Sequence, residues 1–113
     1  MIFSVLTFDL KPGARTEFEN VFARHGILEK AIKVQGCMNL YIAYPDSEDN
    51  KAFVVGLWED ADAYQRWMDH PERGVGTEDL LAVVSGNFDP SAPAEHWTVF
   101  RNVGESEYSS ISK

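Results

Sequence analysis

The chain has 113 residues, enough for one domain with its own hydrophobic core. An apolar fraction of 44% is that of a globular protein and excludes a disordered one. The net charge of −8 disfavours nucleic acid and anionic membrane as partners, because both require a basic face.

Cys37 is the single cysteine, so an intramolecular disulfide is impossible and a cysteine-based zinc site is disfavoured. A reducing cytoplasm is the expected compartment. The longest aliphatic run, residues 80–84, is too short to span a bilayer, and no signal-peptide pattern opens the chain.

Residues 2–10 alternate as a strand. Ile2, Leu6, Phe8 and Leu10 share one face, and Phe3, Val5 and Thr7 share the other. Both faces are largely apolar, whereas a strand with one solvated face should alternate cleanly. Helices can cover one side; the sheet of a second subunit is the expected cover for the other. Lys11-Pro12-Gly13 forms a turn. A helix follows from Ala14, with Phe18, Val21, Phe22 and His25 on one stripe. Gly26 is expected to kink or break it, and Ile27, Leu28, Ala31 and Ile32 carry a second helical piece.

Residues 37–44 form the second strand, with Met38, Leu40, Ile42 and Tyr44 on one face and Cys37, Asn39, Tyr41 and Ala43 on the other. A polar loop at 45–50 makes a hairpin. The third strand, through Phe53, Val55 and Leu57, ends at Trp58. Asp60 caps a short helix carrying Ala63, Tyr64 and Trp67, which Pro71 closes. Thr77 is the expected N-cap of a further helix with Leu80, Leu81 and Val84 inward and Gly86 past its end. A loop with two prolines leads to a fourth strand at 96–103. The domain is therefore 1–103, with 104–113 a flexible polar tail. The order strand, helix, strand, strand, helix, strand is the split βαβ of ferredoxin-like α+β folds, with a four-stranded antiparallel sheet. Two such sheets are expected to pack as a dimeric α/β barrel, each subunit keeping a cleft between sheet and helices.

The junction at Trp58 concentrates aromatics with polar handles, which suit a pocket lining and equally a dense core. Its pattern, Trp58-Glu59-x-x-x-Ala63-Tyr64, resembles the antibiotic biosynthesis monooxygenase family of dimeric α+β barrel proteins. Lys11-Pro12-Gly13 and Gly36-Cys37 resemble that family's punctuation, and the resemblance runs to Val103. It implies that Trp58 and Tyr64 lie near a polyaromatic substrate. The family pattern also places an asparagine four residues before the tryptophan and an arginine further along. Here Val54 takes the first position, and no arginine stands between Arg73 and Arg101. Trp67 and the run Arg24-His25-Gly26-Ile27 resemble the haem-degrading branch. That branch's axial histidine and first-strand asparagine fall at Thr77 and Thr7, and threonine is no axial haem ligand.

His25 on the apolar stripe is either a hydrogen-bonded core residue or a general base, since imidazole titrates near neutrality. Three scattered histidines lack metal-ligand spacing, and no phosphate loop, dinucleotide fingerprint or nucleophile motif is present. A phenol or hydroquinone, once deprotonated, can itself reduce oxygen. The protein then needs only a dry aromatic pocket, a base and a donor for developing oxyanion charge.

The expected function is thus a cofactor-independent monooxygenase acting on a small aromatic or quinol, with oxygen as co-substrate, no metal and no other cofactor. His25, Trp58 and Tyr64 are the candidate catalytic residues, and Thr7, Asn39, Trp67 and Asn102 the candidate substrate contacts. The alternatives are a non-catalytic ligand-binding or stress-related dimeric barrel and a haem-degrading enzyme. A homodimer is expected.

Overall fold

Alternation of apolar residues is realised as four strands: β1 (Ile2–Asp9), β2 (Cys37–Ala43), β3 (Lys51–Trp58) and β4 (Glu95–Thr98). In the computed structural model, which describes residues 1–86, 88–90 and 92–104, they form one antiparallel sheet in the order β2-β3-β1-β4. This is the ferredoxin-like arrangement expected from the element order. Four helices join the strands: α1 (Arg15–His25), α2 (Ile27–Ala31), α3 (Ala61–Met68) and α4 (Thr77–Val83). Gly26, in left-handed conformation, separates α1 from α2. None of the helices among the described residues is long and apolar enough to cross a membrane.

Register sorts the side chains. Ile2, Ser4, Leu6 and Phe8 of β1 stand opposite Trp58, Gly56, Val54 and Ala52 of β3. This set faces the helices, where Phe8, Phe18, Val21, Phe22, Leu80 and Val83 form one buried cluster. Phe18 lies against both Phe8 and Phe22, with ring centroids 5.2 and 4.9 Å apart. Truncating a buried phenylalanine of this kind costs about 3–5 kcal/mol. A second cluster gathers Ala31, Val34, Trp58, Ala63, Tyr64, Trp67 and Ala94. Leu6 and Ile27 pack against both clusters and so mark the seam between them.

The other sheet face carries Phe3, Val5 and Thr7 opposite Leu57, Val55 and Phe53, with Asn39, Tyr41 and Ala43 in the next row. Among the described residues this face has no helical cover: Tyr41 is 48% and Trp97 53% exposed. The single chain shows one four-stranded sheet and not the expected dimeric barrel.

Four local expectations are corrected. The ladder between β2 and β3 shifts between Cys37 and Asn39, so Cys37 packs with the helix-side cluster instead of sharing Asn39's face. Burial there pushes the Cys37 thiol up to about 11. The N-cap of α4 is Gly76, not Thr77, whose hydroxyl donates to the Gly74 carbonyl at 2.8 Å. Val84 follows α4 in extended conformation and bridges to Leu10. The fourth strand ends at Thr98, and Phe100 and Val103 beyond it are 97% and 76% exposed. Residues 105–113 of the expected tail lie outside the described residues.

Candidate active site

The strand-to-helix junction is set by two local devices. Trp58 ends β3, and the Asp60 carboxylate accepts the Ala63 N–H at 2.9 Å to start α3. One helical turn then brings Tyr64 and Trp67 onto the buried face of α3. The Trp58 and Tyr64 rings meet edge to face, centroids 5.5 Å apart.

Trp58 is 1% exposed, and its indole N–H donates to the Ser4 hydroxyl at 2.8 Å. Ser4 and Gly56 are direct cross-strand partners. The indole passes over Gly56 to reach Ser4, and a Cβ at Gly56 would lie 2.5 Å from the Trp58 Nε1. Only glycine leaves that space. Tyr64 accepts the Ala94 backbone N–H through its hydroxyl oxygen at 2.8 Å. It also stands edge-on to His96, centroids 4.5 Å apart.

At the seam between the two core clusters lies a cavity of about 370 Å³, within the size range of small-molecule sites. Trp58, Tyr64 and Trp67 form one wall, Leu6, Val54 and Gly56 the sheet floor, and Phe22, Ile27 and Leu28 the helical side. The run 73–77 and Phe88 and Pro90 complete it. The Arg73 guanidinium donates from Nη1 to the Pro90 carbonyl at 2.9 Å, tying these two segments together. Phe88 is held by Phe8, with centroids 4.6 Å apart.

Of the residues singled out in the sequence, the cavity brings together Trp58, Tyr64 and Trp67. His25 is not among its lining residues. Its Nε2 lies 2.7 Å from Asp79 Oδ2, and its ring packs on Gly76, where a Cβ would sit 2.6 Å from His25 Cδ2. Gly76 has φ 87° and lines the cavity, so the imidazole backs the wall from outside. The hydrogen bond from His25, aided by the nearby Arg24 charge, holds the Asp79 carboxyl below its usual range. Thr7, Asn39 and Asn102 are exposed and do not line the cavity either. Thr7 and Asn39 lie on the opposite sheet face, because strand alternation puts odd positions of β1 there.

Ser4, Gly56 and Arg73 are site residues that the sequence reading passed over. Ser4 is a polar residue on an otherwise apolar strand face, and Gly56 interrupts a run of large side chains; both are signals. Arg73 sits in a turn and has no periodicity to mark it.

Fold and cavity together define a ferredoxin-like α+β domain with an aromatic-walled, small-molecule-sized cavity between sheet and helices. The model of the antibiotic biosynthesis monooxygenase family matches residues 1–75, and the chain belongs to that family. No curated protein matches the sequence. Among solved structures, SnoaB from Streptomyces nogalater, described as a cofactor-independent oxygenase, is 24% identical. It covers 92% of this chain and 97% of its own, with a TM-score of 0.67. A Caulobacter crescentus protein named as a candidate antibiotic biosynthesis monooxygenase is 22% identical, covering 88% of this chain and 90% of its own, with a TM-score of 0.69. A Nitrosomonas europaea protein named in the same way is 8% identical. It covers 89% of this chain and 100% of its own at a TM-score of 0.72. At these identities the likeness establishes the fold.

Proposed function

We propose that this protein is a monooxygenase that needs no cofactor and oxidises a small aromatic or quinol-type substrate in the Trp58 cavity. The observation that carries this reading is the wall formed by Trp58, Tyr64 and Trp67 in a cavity of about 370 Å³. The family membership supports a monooxygenase role, and the description of SnoaB as cofactor-independent supports the finer statement.

The chemistry asked of the protein is modest. A bound phenolate passes an electron to oxygen, and the radical pair joins at a ring carbon that bears hydrogen, giving a peroxide anion that takes up one proton from solvent to become a hydroperoxide. Loss of water leaves a carbonyl, so one oxygen atom enters the product and the other departs as water. The aromatic wall orients the ring and keeps water away. The Tyr64 O–H is the donor proposed for developing charge on oxygen.

The protein is also proposed to act as a homodimer. Phe3, Val5, Phe53, Val55, Leu57, Tyr41 and Trp97 make an apolar sheet face that no helix among the described residues covers, which is the mark of an interface. Thr7 and Asn39 lie on that face.

The test is oxygen uptake by the purified protein with a panel of polycyclic hydroquinones and phenols, without added metal or flavin. Uptake above the uncatalysed rate is expected, and Trp58→Ala should raise KM and lower kcat by misplacing the reacting carbon. The second reading is a ligand-binding barrel without catalysis. It is favoured by the lack of carboxylate and imidazole groups among the described residues that line the cavity. Saturable binding with no uptake for any member of the panel would select it.

A further inference from the structure

The cavity wall holds one charged side chain. Among the described residues that line it, Arg73 is the single cation, and no carboxylate, imidazole, amine or thiol accompanies it. Arg73 is half-buried, and none of the ion pairs among the described residues includes it. Its guanidinium donates from Nη1 to the Pro90 carbonyl. A guanidinium carries five N–H donors in a planar fork. A half-buried guanidinium beside apolar walls gains from an anion that meets it, and no carboxylate among the described lining residues does so.

We propose that the anion arrives with the ligand: the cavity takes an aromatic or enolic compound as its oxyanion, with Arg73 as counter-ion. The substrate class is then narrowed to acidic hydroxy-aromatics, such as hydroxyquinones, phenols ionised near neutral pH and enolised diketones. The physical reason is that an opposite charge within a few ångströms favours the ionised form of an acid. The ligand's proton passes to bulk water on or before entry, so the cavity wall needs no general base. This explains why His25 can be committed to Asp79 at 2.7 Å outside the cavity. Neutral isosteres of the same shape would leave the guanidinium unpaired and bind more weakly.

The inference rests on the oxygenase reading only for its catalytic consequence; binding tests it separately. The probes are 2-hydroxy-1,4-naphthoquinone, which is ionised at neutral pH, and its neutral methyl ether. Isothermal titration at pH 7.5 should give an affinity for the acid about 10- to 100-fold above that for the ether, the range of a charge-assisted hydrogen bond. Arg73→Met should bring the acid down to the ether's level, and Arg73→Lys should restore part of the preference. If loss of the Pro90 bond loosens the wall, both ligands weaken, and the ratio of their affinities is still the readout. A second measurement uses the unmodified protein: acidification through the probe's own pKa should weaken the acid and leave the ether unchanged. Equal affinities, a preference that survives in Arg73→Met, or no saturable binding of the acid would overturn the proposal. An acid preference without oxygen uptake would instead overturn the oxygenase reading and leave the anion site standing.

Discussion

The indole N–H of Trp58 is taken by Ser4, at 2.8 Å across the β1–β3 ladder. Trp58 therefore meets the cavity as an apolar aromatic surface, and its one polar atom serves to fix the ring. Ser4 lines the cavity beside it and Gly56 keeps the path between them open. The orientation of the family's motif tryptophan thus depends on two small residues outside the motif.

Ser4→Ala is expected to leave the buried indole N–H without an acceptor and to cost about 1–3 kcal/mol in urea unfolding. Gly56→Ala should be worse for the site, because its Cβ would meet Trp58 Nε1 at 2.5 Å and displace the ring. Ligand affinity should fall more than stability in Gly56→Ala, with a shifted tryptophan emission. An unchanged emission spectrum in both variants would contradict the arrangement.

Tyr64→Phe should loosen the segment that carries Ala94. The Ala94 N–H is buried and donates to the Tyr64 hydroxyl at 2.8 Å, so the variant leaves a buried donor unpaired, again about 1–3 kcal/mol. Hydrogen exchange at the Ala94 amide should accelerate relative to the wild type. Under the proposed function kcat should fall as well, since the O–H that would steady the developing oxyanion is gone.

His25 and Asp79 clamp α1 to α4. The folded state holds the Asp79 carboxyl below its ordinary value, through the His25 hydrogen bond first and the Arg24 charge after it. A depressed acid contributes stability above its unfolded value, about 3.9, and loses it as the pH falls through the lower folded value. The difference in Tm between wild type and Asp79→Asn should therefore close on acidification below about pH 4. His25→Ala should lower Tm and leave the pH profile of any oxygenase activity unchanged; a flattened profile between about pH 5 and 8 would return His25 to the role of base.

Val55→Lys should split the proposed homodimer without unfolding the subunit. Val55 is only half-buried within the chain and sits at the centre of the uncovered face, opposite Val5 and Tyr41. Sedimentation should show a dimer for the wild type and a monomer for the variant. A wild-type monomer at micromolar concentration would remove the barrel from the proposed assembly.

Much of this protein is written in its local sequence. Two-residue alternation in β1 and β3 and helical spacing in α1 and α3 placed Leu6, Phe8, Phe18 and Tyr64 correctly, because those periods are properties of the backbone itself. The strand-to-helix switch at Trp58 and Asp60 was legible for the same reason: a capping carboxylate acts within three residues, as the 2.9 Å bond to Ala63 shows. The family motif lies at that switch. What only the tertiary structure decided are the relations across strands and between turns. Ser4 becomes the partner of Trp58 through the β1–β3 register, 54 positions away in sequence. The bulge beside Cys37 turns that side chain inward against simple alternation. His25 shares a stripe with core residues, yet α4 draws its ring to Asp79 and away from the cavity. Arg73 reaches the cavity from a turn, and turns carry no period that could announce where a side chain will go. Periodicity reports the face of one element; the site is made where several elements meet, and that meeting is set by register and packing.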